Sequence, residues 1–142
     1  MPKDAFDVVT DVRALINITA IQALLSGGKV EPSVKTTAST VKGVVVNCLG
    51  ITNDPDQLAY GSINCYAPAI ISTINGKSVL LPDQAVLSTL AKAIIPLVDE
   101  QYKATFRCWI EDLPTITQDT DGSYYANIGF AYRSIQTNYT NI

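Results

Sequence analysis

The chain has 142 residues, 47% of them hydrophobic and 16% charged, with a formal net charge of −3. A chain of ~150 residues buries roughly two-thirds of its unfolded surface in one core, so a single soluble domain is expected and disordered, collagen-like and low-complexity classes are excluded. The negative charge argues against a dedicated nucleic-acid surface, and the longest apolar runs fall short of the ~20 residues of a membrane helix.

In residues 6–25 apolar side chains recur at three- and four-residue steps (Val8 or Val9, Val12, Leu15 or Ile16, Ala20, Ala23, Leu24), the period of an amphipathic helix. Asp4 can cap its start, and Asp7 favours its positive end. Asn17, followed by β-branched Ile18 and Thr19, is where two shorter helices would part, and Gly27-Gly28 is a stop signal. Residues 29–34 read as a short extended segment, placed at a sheet edge because Pro32 has no amide to donate. The small, polar stretch 35–40 reads as a flexible loop or arm.

Residues 43–49 are β-branched and apolar, a strand, and Thr52 to Asp56 is turn chemistry. Residues 59–71 alternate, with Tyr60, Ser62, Asn64 and Tyr66 on one face and Gly61, Ile63, Cys65 and Ala67 on the other. Pro68 ends the strand interior, and Asn75-Gly76 is a turn. Pro82 opens a second main helix at its first turn, with a kink or early end expected at Pro96. Residues 105–110 form a further strand, Asp121-Gly122 a hairpin turn, and residues 123–135 the last strand. The expected fold is α+β: a mostly antiparallel sheet of about four to five strands with two main helices on one face. It forms one domain over 1–142, with a helical segment at about 5–26, sheet and helix at about 29–135, and a polar tail at 136–142. Three stretches read as long loops: 35–42, 71–81 and 113–122.

The chain contains no histidine. That removes the commonest general base and metal ligand, so neither an enzyme nor a cofactor or metal site is expected. Cys48, Cys65 and Cys108 each lie in an apolar or alternating run, outside any C-x-x-C pair, and read as reduced, buried small hydrophobes. Asp119-Thr120-Asp121-Gly122 resembles part of a calcium loop, but Ile128 stands where the required glutamate belongs, so it reads as a turn. The first residues lack the apolar run of a signal peptide, which makes synthesis in the cytoplasm the expectation. Asn17-Ile18-Thr19 and Asn138-Tyr139-Thr140 then match the glycosylation pattern by chance.

Seven tyrosines remain. Tyr60 and Tyr66 share one strand face; Tyr124 and Tyr132 share a face of the last strand, with Tyr125 on the other. Aromatic side chains with a polar tip are enriched at protein–protein contacts, although sheet packing explains any single one. The candidate interface residues are Tyr60, Tyr66, Tyr124, Tyr132 and Tyr139, with Lys35 and Lys42 bounding the polar arm.

Three stretches carry a family resemblance: Val44-Val45-Val46-Asn47-Cys48-Leu49-Gly50-Ile51, Gly61-Ser62-Ile63-Asn64-Cys65-Tyr66-Ala67-Pro68, and Tyr125-Ala126-Asn127-Ile128-Gly129-Phe130-Ala131-Tyr132-Arg133. With a helix between the second and third, their order resembles small tail-terminator or head-to-tail neck proteins of tailed bacteriophages, especially those of Bacteroidetes phages and prophages. The likeness spans about 30–133, and departs at 35–42 and at Pro96. It implies a structural virion protein, a subunit of a ring, commonly a hexamer, at the head–tail junction. Its implied partners are copies of itself and neighbouring neck, portal-adaptor or tail proteins. DNA would pass as cargo without specific binding, and no membrane is involved. The alternatives are a ring or adaptor protein beneath the portal of a short-tailed phage, and a non-viral protein-binding module.

Overall fold

Asp4 and Asp7 start the first helix together. The Asp4 carboxylate accepts from the Asp7 amide, and the Asp7 carboxylate accepts from the Asp4 amide, which satisfies two amides that would otherwise be orphaned. The computed structural model describes residues 2–134. In chain order the elements are α1 (Ala5–Ile16), α2 (Thr19–Leu25), β1 (Val30–Pro32), β2 (Gly43–Ile51), β3 (Leu58–Ala67), β4 (Ile70–Ile74) and β5 (Lys77–Leu81). They continue with α3 (Gln84–Val98), β6 (Gln101–Tyr102), β7 (Phe106–Gln118) and β8 (Tyr124–Ser134).

The break at Asn17 is real, and α2 leaves α1 at 85°. That turn resets the helical phase. Ile21 and Leu25 are buried, where a continuous helix would have buried Ala20 and Ala23. Among the described residues no single helix is long and apolar enough to cross a membrane. The helix expected from Pro82 begins two residues later, at Gln84. Asp83 takes the cap and accepts from the Val86 amide, which leaves Pro82 outside the first turn. Pro96 does not end α3, which continues to Val98. Lying in the last turn, Pro96 removes one hydrogen bond where little helix remains to be held.

The fold is α+β, with more strands than expected. Six strands form one mixed sheet in the order β1-β2-β3-β8-β7-β6, and β4 and β5 form a separate hairpin. Only β1 runs parallel to its neighbour, and it stands at the edge as Pro32 requires. The stretch 71–81, expected as a loop, falls within the β4–β5 hairpin, which turns at Asn75 (φ 53°) and Gly76 (φ 77°). The stretch expected as a loop from 113 is mostly the far half of β7, paired with β8 through Gln118. Two bulges displace the β7 register between Ile110 and Thr115, which lets the strand bend.

One face of the sheet carries the core. Val44, Val46, Ile63, Cys65, Ile128, Phe130 and Tyr132 meet Val8, Val12, Ile16, Leu87, Leu90 and Ile94 from the helices. Each such aliphatic or aromatic side chain contributes ~1.5–3 kcal/mol when fully buried. The other face is polar along its centre: Asn64 pairs with Asn127 across the strands, and the Asn127 amide donates to the Asn64 carbonyl at 2.7 Å.

Candidate assembly surface

Chemistry would need groups brought within reach of one another. A cavity of about 510 Å³ lies beside β6, lined by Asp99, Glu100, Tyr102, Arg107, Cys108, Trp109 and Ile110. Four of its side chains are already engaged. Asp99 accepts from the Ile110 amide, Trp109 donates to Glu111, and Arg107 lies over the Trp109 ring. Cys108 donates to the Val98 carbonyl, and burial raises its thiol to about 12, so no thiolate nucleophile forms there near neutral pH. Among the described residues no group of three or more His, Cys, Asp or Glu could hold a metal ion.

The surface is more informative, and it redistributes the residues singled out from sequence. Tyr60 is 63% exposed on the open face of β3. Tyr66 shares that face but is half-buried, its ring centroid 5.0 Å from that of Tyr125 directly opposite on β8. Burial, and next the nearby Asp119 carboxylate, raise the Tyr66 phenol above its ordinary range.

Tyr124 is also half-buried, and its hydroxyl donates to the Leu80 carbonyl, tying the β4–β5 hairpin to β8. Tyr132 is no interface residue: it is fully buried, donates to Asp11 and accepts from Lys3. Alternation along β8 places it with Tyr124 on the helix-covered face, and at its end of the strand α1 and the N-terminal segment close over it. Tyr139, with the rest of the tail 136–142, lies outside the described residues.

The arm 35–42 is held by contacts within its own chain. The Lys35 ammonium donates to the carbonyls of Thr37 and Ala38 and lies 5.7 Å from the Tyr66 ring centroid. The Thr36 amide and hydroxyl both donate to the Glu31 carboxylate. Lys42 is half-buried and reaches the Leu24 carbonyl at 3.5 Å. The stretch that reads as flexible is thus a loop folded over the open face. Hydrogen bonds from Ser123, and more weakly the charge of Lys35, hold the Asp121 carboxyl below its usual range, so Lys35 already serves a neighbour within the chain.

Sequence reasoning missed the apolar side chains that project. Leu49 on β2 is fully exposed, Leu113 on β7 is 76% exposed, Tyr102 on β6 is 72% and Ile71 on the hairpin is 71%. All four lie on strand edges or on the hairpin, outside the helix-covered core. A signal for the hairpin was present: Asn-Gly flanked by Ile and Val runs is a strong short-range hairpin pattern. The chain matches no protein-family model, and no curated protein matches it either.

Proposed function

We propose that this chain is a structural, non-catalytic subunit that assembles with copies of itself into a ring, of the kind that forms the head–tail junction or tail top of a tailed bacteriophage. The observation that carries the reading is that large apolar side chains project from the sheet edges and the separate hairpin, with Phe6 on α1 and Tyr60 on β3 also exposed. Exposed apolar groups concentrated on projecting edges mark protein contacts, and a two-stranded hairpin is marginal alone in water. The order of strands and helix that resembles the phage proteins supports the viral setting.

A DNA-conducting ring must pass the genome without gripping it, and a net charge of −3 suits that task. The hairpin suits contact with a neck, portal-adaptor or tail protein stacked above or below the ring. Light scattering and negative-stain imaging of the purified protein test the reading. Closed rings, alone or on addition of phage neck proteins, are the expected outcome. A monomer under both conditions overturns it and leaves the protein-binding module.

A further inference from the structure

The β4–β5 hairpin turns through Asn75 and Gly76, both with positive φ, so its two-residue turn is closed by the pair Ile74 and Lys77. The pair flanking such a turn exchanges two backbone hydrogen bonds, and bonded pairs then alternate with unbonded ones along the strands. Ile74 with Lys77, Ser72 with Val79 and Ile70 with Leu81 are therefore bonded within the hairpin. The amides and carbonyls of Ile71 and Thr73 point away from β5, and those of Ser78 and Leu80 point away from β4. The Leu80 carbonyl accepts from the Tyr124 hydroxyl at 3.1 Å, as an outward group should, and that bond turns the β5 edge toward the main sheet. Among the described residues nothing takes the outward groups of Ile71 and Thr73.

No other edge of the molecule is so bare. On β1, Pro32 has no amide and the Arg13 side chain donates to the Val30 carbonyl. The β2 register is irregular between Cys48 and Ile51, and β7 carries two bulges and Pro114. Proteins blunt exposed edges in these ways, because a regular, open edge is a template for another strand. β4 has none of them. It is regular over its five residues, holds no proline or charge, and projects Ile71, 71% exposed.

The strand that completes β4 must match both its outward groups and its side chains, and β4 matches itself. Around a two-fold axis at Ser72, a second β4 runs antiparallel to the first. Ile71 then stands opposite Thr73 of the second copy, and Thr73 opposite its Ile71, so that every outward amide meets an outward carbonyl. Ile70 falls opposite Ile74 of the second copy on one face, and both side chains are exposed in the single chain. We infer that β4 pairs with β4 of a second copy of this chain, joining two hairpins into one four-stranded sheet. A lone hairpin is marginal in water, whereas three or more strands with an apolar face hold together, and the isoleucine pairs across the two-fold add to that. The contact is independent of the ring reading; where rings form, it joins one ring to another.

Disulfide trapping tests the register. Ser72 faces its own copy in an unbonded pair, where Cα atoms lie about 4.5 Å apart, within the roughly 4.4–6.8 Å that a disulfide spans. Full-length Ser72→Cys should give a covalent dimer on a non-reducing gel under mild oxidation, while Ser78→Cys on β5 and the wild type should stay largely monomeric. Neither serine belongs to the core, so circular dichroism of both variants should match the wild type. In the Ser72→Cys background, Ile70→Lys should slow cross-linking about tenfold, because both isoleucine pairs across the two-fold are lost. Adding Ile74→Glu should restore most of it, since each introduced ammonium then faces an introduced carboxylate. Cross-linking of Ser72→Cys no faster than that of Ser78→Cys overturns the inference, and rings seen by light scattering in that case leave the ring reading standing. Covalent dimers from a protein that never closes rings support the β4 contact and overturn the ring reading alone.

Discussion

Tyr132 on the last strand donates its phenolic proton to Asp11 on the first helix, and the Lys3 ammonium lies 2.8 Å from both side chains. Lys3 also rests over the Phe106 ring, 5.2 Å from its centroid, and that ring stacks on Tyr132 at 5.1 Å. Gln57 closes the group by accepting from the Lys3 amide and donating to the Lys3 carbonyl at 2.9 Å. One polar cluster thus joins the N-terminal segment, α1, β7 and β8. Tyr132→Phe keeps the packing but removes a partly buried hydrogen bond to a charged group, and should lower stability by about 1.5–3 kcal/mol. Urea unfolding checks this, and a loss near zero would show that the cluster orders the segment without stabilising the fold.

Alkaline pH should destabilise the protein through its buried acids. Complete burial raises the Cys65 thiol from 9.0 to about 12, and burial, followed by Asp11, raises the Tyr132 phenol above its ordinary 10.0. Both groups hold their proton more tightly when folded. Their stabilisation is full below the unfolded values and is lost as pH rises through the folded ones. Between pH 9.0 and about 12, Cys65 should contribute a fall in stability of about 1.4 kcal/mol per pH unit. Melting curves across that range should decline less steeply for Cys65→Ala than for the wild type.

Thiol labelling should separate the three cysteines. Cys48 is half-buried, whereas Cys65 and Cys108 are buried. One thiol should react with an aromatic disulfide reagent in the native protein, slowly because burial raises its pKa, and all three should react after denaturation. Native labelling of Cys65 would contradict its place against the helices.

Three glycines should rank by what surrounds them. A Cβ at Gly28 would overlap the Lys42 carbonyl, and one at Gly61 would overlap both the Asn47 carbonyl and the Phe130 ring. Gly28→Ala and Gly61→Ala should each cost at least the ~1–3 kcal/mol usual for overpacking, because backbone must move. A Cβ at Gly129 would stand 2.6 Å from an Asp112 carboxylate oxygen, which can swing away, and 2.9 Å from the Asp112 Cβ, which moves only with the β7 backbone. Gly129→Ala should therefore cost about 1 kcal/mol by thermal melting, the least of the three, because its overlap is the smallest and part of it is relieved by a side-chain rotation.

Local chemistry made much of the fold legible. The Asp4 cap, the break at Asn17, the edge place of Pro32, the turn at Asn75-Gly76 and the alternation along β3 each depend on one residue or a short period. Neighbours a few positions away suffice to set them. The α+β class followed from their order.

What the sequence alone determined was where the helices and the strands β2, β3 and β8 would form and which face of each was apolar, while the β4–β5 hairpin and the far half of β7 read as loops. Tertiary structure decided the rest. It set the parallel pairing of β1, the overhang of β7 past β6, the burial of Tyr132 and the folding of the 35–42 loop onto Glu31 and Tyr66. Alternation tells which side chains share a face but not what covers that face. Tyr60 and Tyr132 follow the same pattern, and one faces solvent while the other is sealed beneath α1 and Lys3. The contacts that separate them join residues more than a hundred positions apart, such as Asp11 and Tyr132, and no local period encodes that distance.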